Sequence, residues 1–382
     1  MNVKKKAILI IVDHYLPGFK SGGPVKSIAN ILNGLLDREQ IDVLTKDRDL
    51  GDENPYNNIE SNSWNKLNNY KVYYMSSDNV GILNIYKFLR RNPYRLIYLN
   101  SFFSLLTINV LIACSLIGTR RSKLLLAPRG EFSPGALEQS RFKKYIYIKV
   151  FKIIFNNLKI VFHASNEMEK LHIEKTLGPD THIRIASDIP DPTMPHLPNT
   201  KIGNDVLNIV FISRISPKKN ILYALKILTM LDHRFTFDIY GPIEDQKYWE
   251  SCVAYIDKHD LQDKVFYRGA VKPDKTQSVF KQYDVFFFPT LGENFGHVIY
   301  EALASGCPVL TSDMTPWDDL EKYGAGWTIP LVDENQYVKT LAQINSMSLK
   351  EKTKLSERSW RYANNKVDYE EIIRKHIELF EI

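Results

Sequence analysis

The chain has 382 residues, 44% hydrophobic and 25% charged, enough apolar side chain for two α/β domains, which excludes a wholly disordered or collagen-like chain. Its formal net charge of +6 is unevenly spread: residues 1–190 hold 27 Lys+Arg against 17 Asp+Glu, and residues 191–382 hold 23 against 27. The excess gathers in residues 80–160, where 14 basic side chains meet only Glu131 and Glu138, a face suited to phosphate, polyanionic or anionic-membrane partners. Cys114, Cys252 and Cys307 are far apart, so no disulfide framework or zinc site is expected and a cytoplasmic setting fits.

Ala7–Val12 reads as a buried strand, which Asp13 and His14 end too soon for a secretory leader. Lys26–Leu36 has helical spacing at Ile28, Ile31, Leu32 and Leu35. Ile41–Leu44, Val72–Tyr74, Leu96–Leu99 and Leu124–Ala127 are short apolar runs of strand type, and Asn54–Asn69 is polar and reads as a loop. Phe102–Gly118 is the one candidate membrane span; its Ser, Thr and Asn and its place between two strands favour a buried helix. Arg141–Lys159 mixes Lys and Arg with Tyr, Ile, Val and Phe, as either a basic helix lying on a membrane or a helix covering a sheet. The four prolines of Ile189–Pro198 exclude helix and central strand, which places a linker at 191–204 between domains at 1–190 and 205–361.

Past the linker the alternation restarts. Strands are expected at Leu207–Ser213, Phe235–Tyr240, Val265–Tyr267, Val285–Pro289 and Val309–Thr311, with helices at Asn220–Leu231, Gln246–Lys258, Lys275–Tyr283 and Gly296–Ser305. The stretch Leu349–Ile382 is helical in pattern, with Ile372, Ile373, His376, Ile377 and Phe380 on one face. The fold class is therefore α/β, two doubly wound parallel-sheet domains, in which ligands bind just beyond the carboxyl ends of the strands.

Three groups of residues stand at such places. Ser21-Gly22-Gly23-Pro24 follows the first strand and opens a helix, so Gly22 and Gly23 can let the backbone approach an anion. Arg214 and Lys219, five apart after the first strand of the second domain, suit a diphosphate. In the run from Pro289 to Pro308, Glu293 precedes a helix and Glu301 lies within it, two carboxylates able to accept hydrogen bonds from paired sugar hydroxyls.

This ensemble resembles the E-x7-E signature of retaining glycosyltransferases of family 4, which have the GT-B architecture of two Rossmann-like domains facing a cleft. Arg214 and Lys219 match that family's R-x4-K pair. Tyr240-Gly241-Pro242 resembles its nucleotide-side strand end, and Ala304–Val309 its A-x-G-x-P-V segment. The resemblance implies that Arg214 and Lys219 bind the donor diphosphate, Glu301 holds the ribose, Glu293 contacts the donor sugar, and the backbone of Asn294, Phe295 and Gly296 binds that sugar. Gly22, Gly23 and Gly241 would lie on the donor side, and no cofactor or metal is implied. Asn220 stands where the family often has glycine. The segment Pro128-Arg129-Gly130-Glu131 resembles a subset that builds bacterial surface polysaccharides, making Arg129 a donor-phosphate or acceptor contact and Glu131 an acceptor-side candidate. His163, after a strand, is read either as lining the cleft or as a core histidine, and Trp317 as packing near the sugar pocket. In related enzymes the last helix, about 362–382 here, crosses back to the first domain.

The expected activity is transfer of a sugar from a nucleotide sugar to a glycan or lipid-linked oligosaccharide in capsule, O-antigen or exopolysaccharide synthesis, with retention of configuration. The basic 80–160 face would meet acceptor or an anionic membrane, and nucleic acid is not expected. The rivals are a nucleotide-sugar 2-epimerase on the same fold and a non-catalytic binding paralogue. A nicotinamide dehydrogenase is disfavoured because G-x-G-x-x-G is missing.

Overall fold

The computed structural model describes residues 7–118, 122–138, 141–191 and 206–382, so the expected linker at 191–204 lies outside it apart from Asp191. The chain divides into one unit of Met1–Ile189 with Tyr369–Ile382 and another of Pro190–Asp368.

The first unit runs β1 (Ile8–Ile11), α1 (Gly23–Leu35), β2 (Ile41–Lys46), β3 (Ser63–Leu67), β4 (Tyr70–Met75), α2 (Ile82–Arg91), β5 (Leu96–Asn100) and α3 (Leu105–Ile117). It continues with β6 (Lys123–Ala127), α4 (Pro134–Glu138), α5 (Arg141–Ile154), β7 (Ile160–Ala164), α6 (Glu167–Leu177) and β8 (Ile183–Ile185). The sheet order is β3-β4-β2-β1-β5-β6-β7-β8. All pairs are parallel except β3 with β4. Every residue of β1 and β5 is buried, as a strand covered on both faces requires.

The polar stretch expected as a loop contains β3. An edge strand needs only one neighbour and tolerates Asn and Lys. Trp64 anchors it, its ring 5.3 Å from Tyr73 and 5.7 Å from Phe88. The apolar run at 102–118 is α3, capped by Ser104 and packed through Leu106, Val110, Leu111 and Ala113. Among the described residues no helix is long and apolar enough to cross a membrane. Helix α5 is different: Phe151 alone is buried, while Phe142 is 76% and Ile153 79% exposed, with Tyr145, Ile146, Val150 and Ile154 also open.

The second unit runs β9 (Leu207–Ile212), α7 (Ile221–Thr229), β10 (Phe235–Tyr240), α8 (Gln246–Lys258), β11 (Val265–Gly269), α9 (Pro273–Phe280) and β12 (Val285–Phe288). It then forms α10 (His297–Ala304), β13 (Val309–Ser312), β14 (Gly326–Ile329), α11 (Glu334–Ser346) and α12 (Leu349–Lys366). Its strands are all parallel in the order β11-β10-β9-β12-β13-β14, with the reversal between β9 and β12. Phe286, Phe287 and Phe288 are fully buried, and each contributes about 1.5–3 kcal/mol by leaving water. Within this unit the buried Lys352 ammonium of α12 pairs with Asp284 at 3.2 Å.

The helical tail is two helices. A capping box at Ser348 and Glu351 starts α12, and α13 (Tyr369–Phe380) returns to the first unit. There it buries Ile372, Ile373, His376, Leu379 and Phe380; Ile377, expected on that face, is only half-buried. Gly34 of α1 admits it, because a Cβ there would lie 2.3 Å from Ile373 Cδ1. Arg95 Nη1 donates to Phe380 O at 2.6 Å, and Arg184 Nη1 to Glu378 O at 2.9 Å.

Candidate functional site

In the second unit two loops leave the carboxyl ends of the adjacent central strands β9 and β12 and bind each other. Leu291 N donates to Lys218 O at 2.8 Å and Thr290 Oγ1 to the same oxygen at 3.1 Å. Asn220 Nδ2 donates to Pro289 O at 2.9 Å. Asn220 has φ +60°, a left-handed conformation that glycine adopts freely and asparagine more easily than most residues. That explains how the family's usual glycine is replaced, and the amide adds a tie between the loops.

The structure brings Arg214, Lys219 and Glu293 together. Lys219, 8% exposed, forms an ion pair with Glu293 Oε1, and its ammonium lies 5.5 Å from the centroid of the Phe288 ring. Thr290 Oγ1 donates to the same carboxylate oxygen at 3.3 Å. Burial holds Lys219 below its usual pKa, with Lys218 and Arg214 acting in the same sense against Glu293. Burial pushes the Glu293 carboxyl up, but Lys219 and Lys218 outweigh it and leave it below the ordinary value. The Lys219–Glu293 contact is thus a buried ion pair, in which each charge offsets the burial cost of the other.

Arg214 pairs with Glu244, a residue the sequence reading did not single out. Glu244 follows Gly241-Pro242-Ile243 at the end of β10, so its place beyond a strand end was the available signal. Gly241 itself is sterically required: its φ is +143°, and a Cβ would lie 1.8 Å from Ser213 O.

Glu301 sits on α10 and is half-buried. Ahead of it, Gly296 caps the helix at φ +77°. Trp317, only 2% exposed, donates from Nε1 to Phe295 O at 2.5 Å and packs edge-on to the Phe295 ring at 5.6 Å. The indole thus fixes the Phe295 carbonyl, between Asn294 and Gly296.

Of the first-unit candidates, Arg129, Glu131 and His163 serve that unit's own architecture. Gly22 has φ +65° and caps α1, and Gly23 faces open space. Arg129 corrects the expectation of an available phosphate contact. Its guanidinium turns inward to Asp188, to Asn100 Oδ1 at 2.8 and 3.1 Å, and to Tyr98 Oη at 2.9 Å. Glu131 is likewise absorbed: Ser101 Oγ donates to it at 2.7 Å, as do the backbone N–H groups of Phe102 and of Phe103, the latter at 3.3 Å. Burial still raises its pKa, against those donors. His163 is a core histidine. It meets Tyr98 Oη through Nδ1 at 2.6 Å and Ala186 O through Nε2 at 2.8 Å, and burial lowers its pKa to about 3. Tyr98 Oη therefore donates to Nδ1, and the neutral ring donates from Nε2. Among the described residues no cluster of three or more His, Cys, Asp or Glu side chains is arranged to hold a metal ion.

Comparison with known proteins fits this geometry. A protein of the cps region of Klebsiella pneumoniae, 41.2 kDa and uncharacterized, is 22% identical over 306 residues, 78% of this chain and 82% of that one. Sucrose-phosphate synthase from Thermosynechococcus elongatus superposes with a TM-score of 0.74 at 14% identity, over 99% of this chain and 98% of that one. Anabaena HepE, solved in complex with UDP-glucose, gives 0.74 at 15% identity over 98% and 99%. At these identities the likeness shows the fold, that of the GT-B glycosyltransferases. Residues 197–363, most of the second unit, match the family described as Glycosyl transferases group 1.

Proposed function

We propose that this protein is a retaining glycosyltransferase of family 4, moving a sugar from a nucleoside diphosphate to a glycan or lipid-linked oligosaccharide in capsule or related surface-polysaccharide synthesis. The observation that carries this reading is the constellation of Arg214, Lys219 and Glu293 on two interlocked loops beyond adjacent strand ends. The cps-region relative supports the setting, and the UDP-glucose bound to HepE supports the donor class.

Breaking the anomeric C–O bond puts negative charge on the departing diphosphate. Arg214 and Lys219 stabilise that charge, with no metal needed in this reading. Glu293 uses Oε1 for Lys219, which leaves Oε2 to accept from a donor-sugar hydroxyl. Glu301 holds the ribose hydroxyls, and the backbone at Asn294–Gly296, its Phe295 carbonyl fixed by Trp317, lines the sugar. In a retaining transfer the acceptor hydroxyl attacks on the face that the leaving group vacates, and its proton passes to the leaving phosphate.

The enzyme would work in the cytoplasm, at the inner face of the plasma membrane. The open apolar residues of α5, set among Lys143, Lys149 and Lys152, support contact with anionic lipid. A thermal-shift screen of nucleotide sugars tests the donor site, since a bound donor raises the melting temperature. Following each stabilising donor by NMR, with and without glycan acceptor, separates the outcomes. Sugar appearing on the acceptor supports transfer, an epimer formed without acceptor replaces transfer with epimerisation, and binding without turnover replaces it with a binding role.

A further inference from the structure

Lys218 lies between the two residues of the R-x4-K pair, and nothing in the sequence reading gives it a role. Its main chain is pinned to the Glu293 loop, because its carbonyl accepts from both Leu291 N and Thr290 Oγ1. Its side chain runs over Gly292, with Cε 3.9 Å from the point where a Cβ would stand. The ammonium is near enough to act electrostatically on both Glu293 and Lys219.

The charge pattern around it is asymmetric. Arg214 is matched by Glu244 and Lys219 by Glu293. Among the described residues no carboxylate lies within ion-pair distance of Lys218. Two of the loop's three cations are thus already offset by carboxylates, and the site's surplus positive charge resides on Lys218. A diphosphate entering such a site gains most from the cation it need not share. An ammonium on a flexible stem is a compact point charge suited to phosphate oxygens.

We propose that Lys218 is a third binding cation for the donor diphosphate, reaching it across Gly292. This rests on the donor-site reading given above. Its consequence is that Lys218, together with Arg214 and Lys219, sets donor affinity.

Calorimetric titration with inorganic pyrophosphate tests this without knowledge of the donor base. The proteins compared are the wild type, Lys218→Gln, Lys218→Arg, Arg214→Ala and, as a distant control, Lys226→Gln, with circular-dichroism melts to verify folding. The expected result is about tenfold weaker pyrophosphate binding in Lys218→Gln, as for loss of one charge-assisted contact. Lys218→Arg should restore most of the affinity, Lys226→Gln should match the wild type, and the salt dependence should be shallower in Lys218→Gln. Once a donor is known, Lys218→Gln should raise its KM more than it lowers kcat. If Arg214→Ala leaves pyrophosphate binding unchanged, the donor-site reading itself fails. If Arg214→Ala weakens binding and Lys218→Gln does not, only the role of Lys218 fails. A loss in Lys218→Gln without rescue by Lys218→Arg overturns the charge role in favour of packing against Gly292.

Discussion

The two buried histidines of the first unit make its stability depend on acid. His163 and His376 stand with ring centroids 5.7 Å apart, near the buried Arg129. Burial lowers His163 to about 3 and His376 to about 4. In the unfolded chain both return to about 6.5, so between these values the unfolded state binds more protons than the folded one. The stabilisation is therefore complete above pH 6.5 and is lost progressively as pH falls toward the folded values. At pH 5 the loss is about 2 kcal/mol for each ring, or about 4 kcal/mol together. Urea unfolding followed between pH 5 and 7.5 should show the first unit weakening with a slope approaching 2.7 kcal/mol per pH unit, about 1.4 from each ring. His376→Leu should remove about half of that slope, whatever its effect on absolute stability. NMR offers a direct check: the ring signals of these two histidines should not titrate between pH 5 and 8. An inflection near 6.5 from either ring, or an unchanged slope in His376→Leu, would refute the reasoning.

Other outcomes follow from the site and the surface. Arg214→Ala should lose about 2–4 kcal/mol of transition-state stabilisation, read as kcat/KM for glycosyl transfer, and a near-normal value would end the leaving-group assignment. Lys219→Met should lose as much and also destabilise the second unit by about 3–5 kcal/mol, because Glu293 is left buried without its cation; adding Glu293→Gln should recover stability but not activity. Gly241→Ala should cost more than about 2 kcal/mol, since the new methyl meets Ser213 O, and an unchanged melting temperature would contradict the backbone geometry. Phe142→Glu with Ile153→Glu should abolish co-sedimentation with phosphatidylglycerol vesicles while leaving pyrophosphate binding intact. Wild-type vesicle binding should weaken as salt rises.

The gathering of Arg214, Lys219 and Glu293 in the second unit was legible because it follows from spacing. A strand end, a pair of cations five residues apart, and two carboxylates flanking a helix start are local patterns. Arg129 and Glu131 were not legible in the same way, and for His163 the sequence left two readings open, of which the structure bears out the core histidine. Each follows a strand, as a site residue would, but its partners Asp188, Ser101 and Tyr98 lie 59, 30 and 65 residues away. Local sequence carries no sign of that pairing, which decides whether a polar side chain faces ligand or core. Strand β3 was missed for a related reason: its composition is that of a loop, and only pairing with β4 and the contacts of Trp64 make it a strand. Asn220 shows the converse, since a departure from the family's glycine became intelligible once its left-handed backbone was seen.

The return of α13 to the first unit also bears on synthesis. The ribosome makes the whole second unit before it makes the helix that covers Gly34, Tyr98 and His163. At about 5–20 residues per second, that interval is on the order of ten seconds or more. During it the nascent first unit exposes an apolar face while its neighbour is still being made. The completed chain is thus the insertion of one domain into another, and maturation of the first waits on the second. Chaperone dependence should accordingly fall in a circular permutant that places α13 ahead of β1.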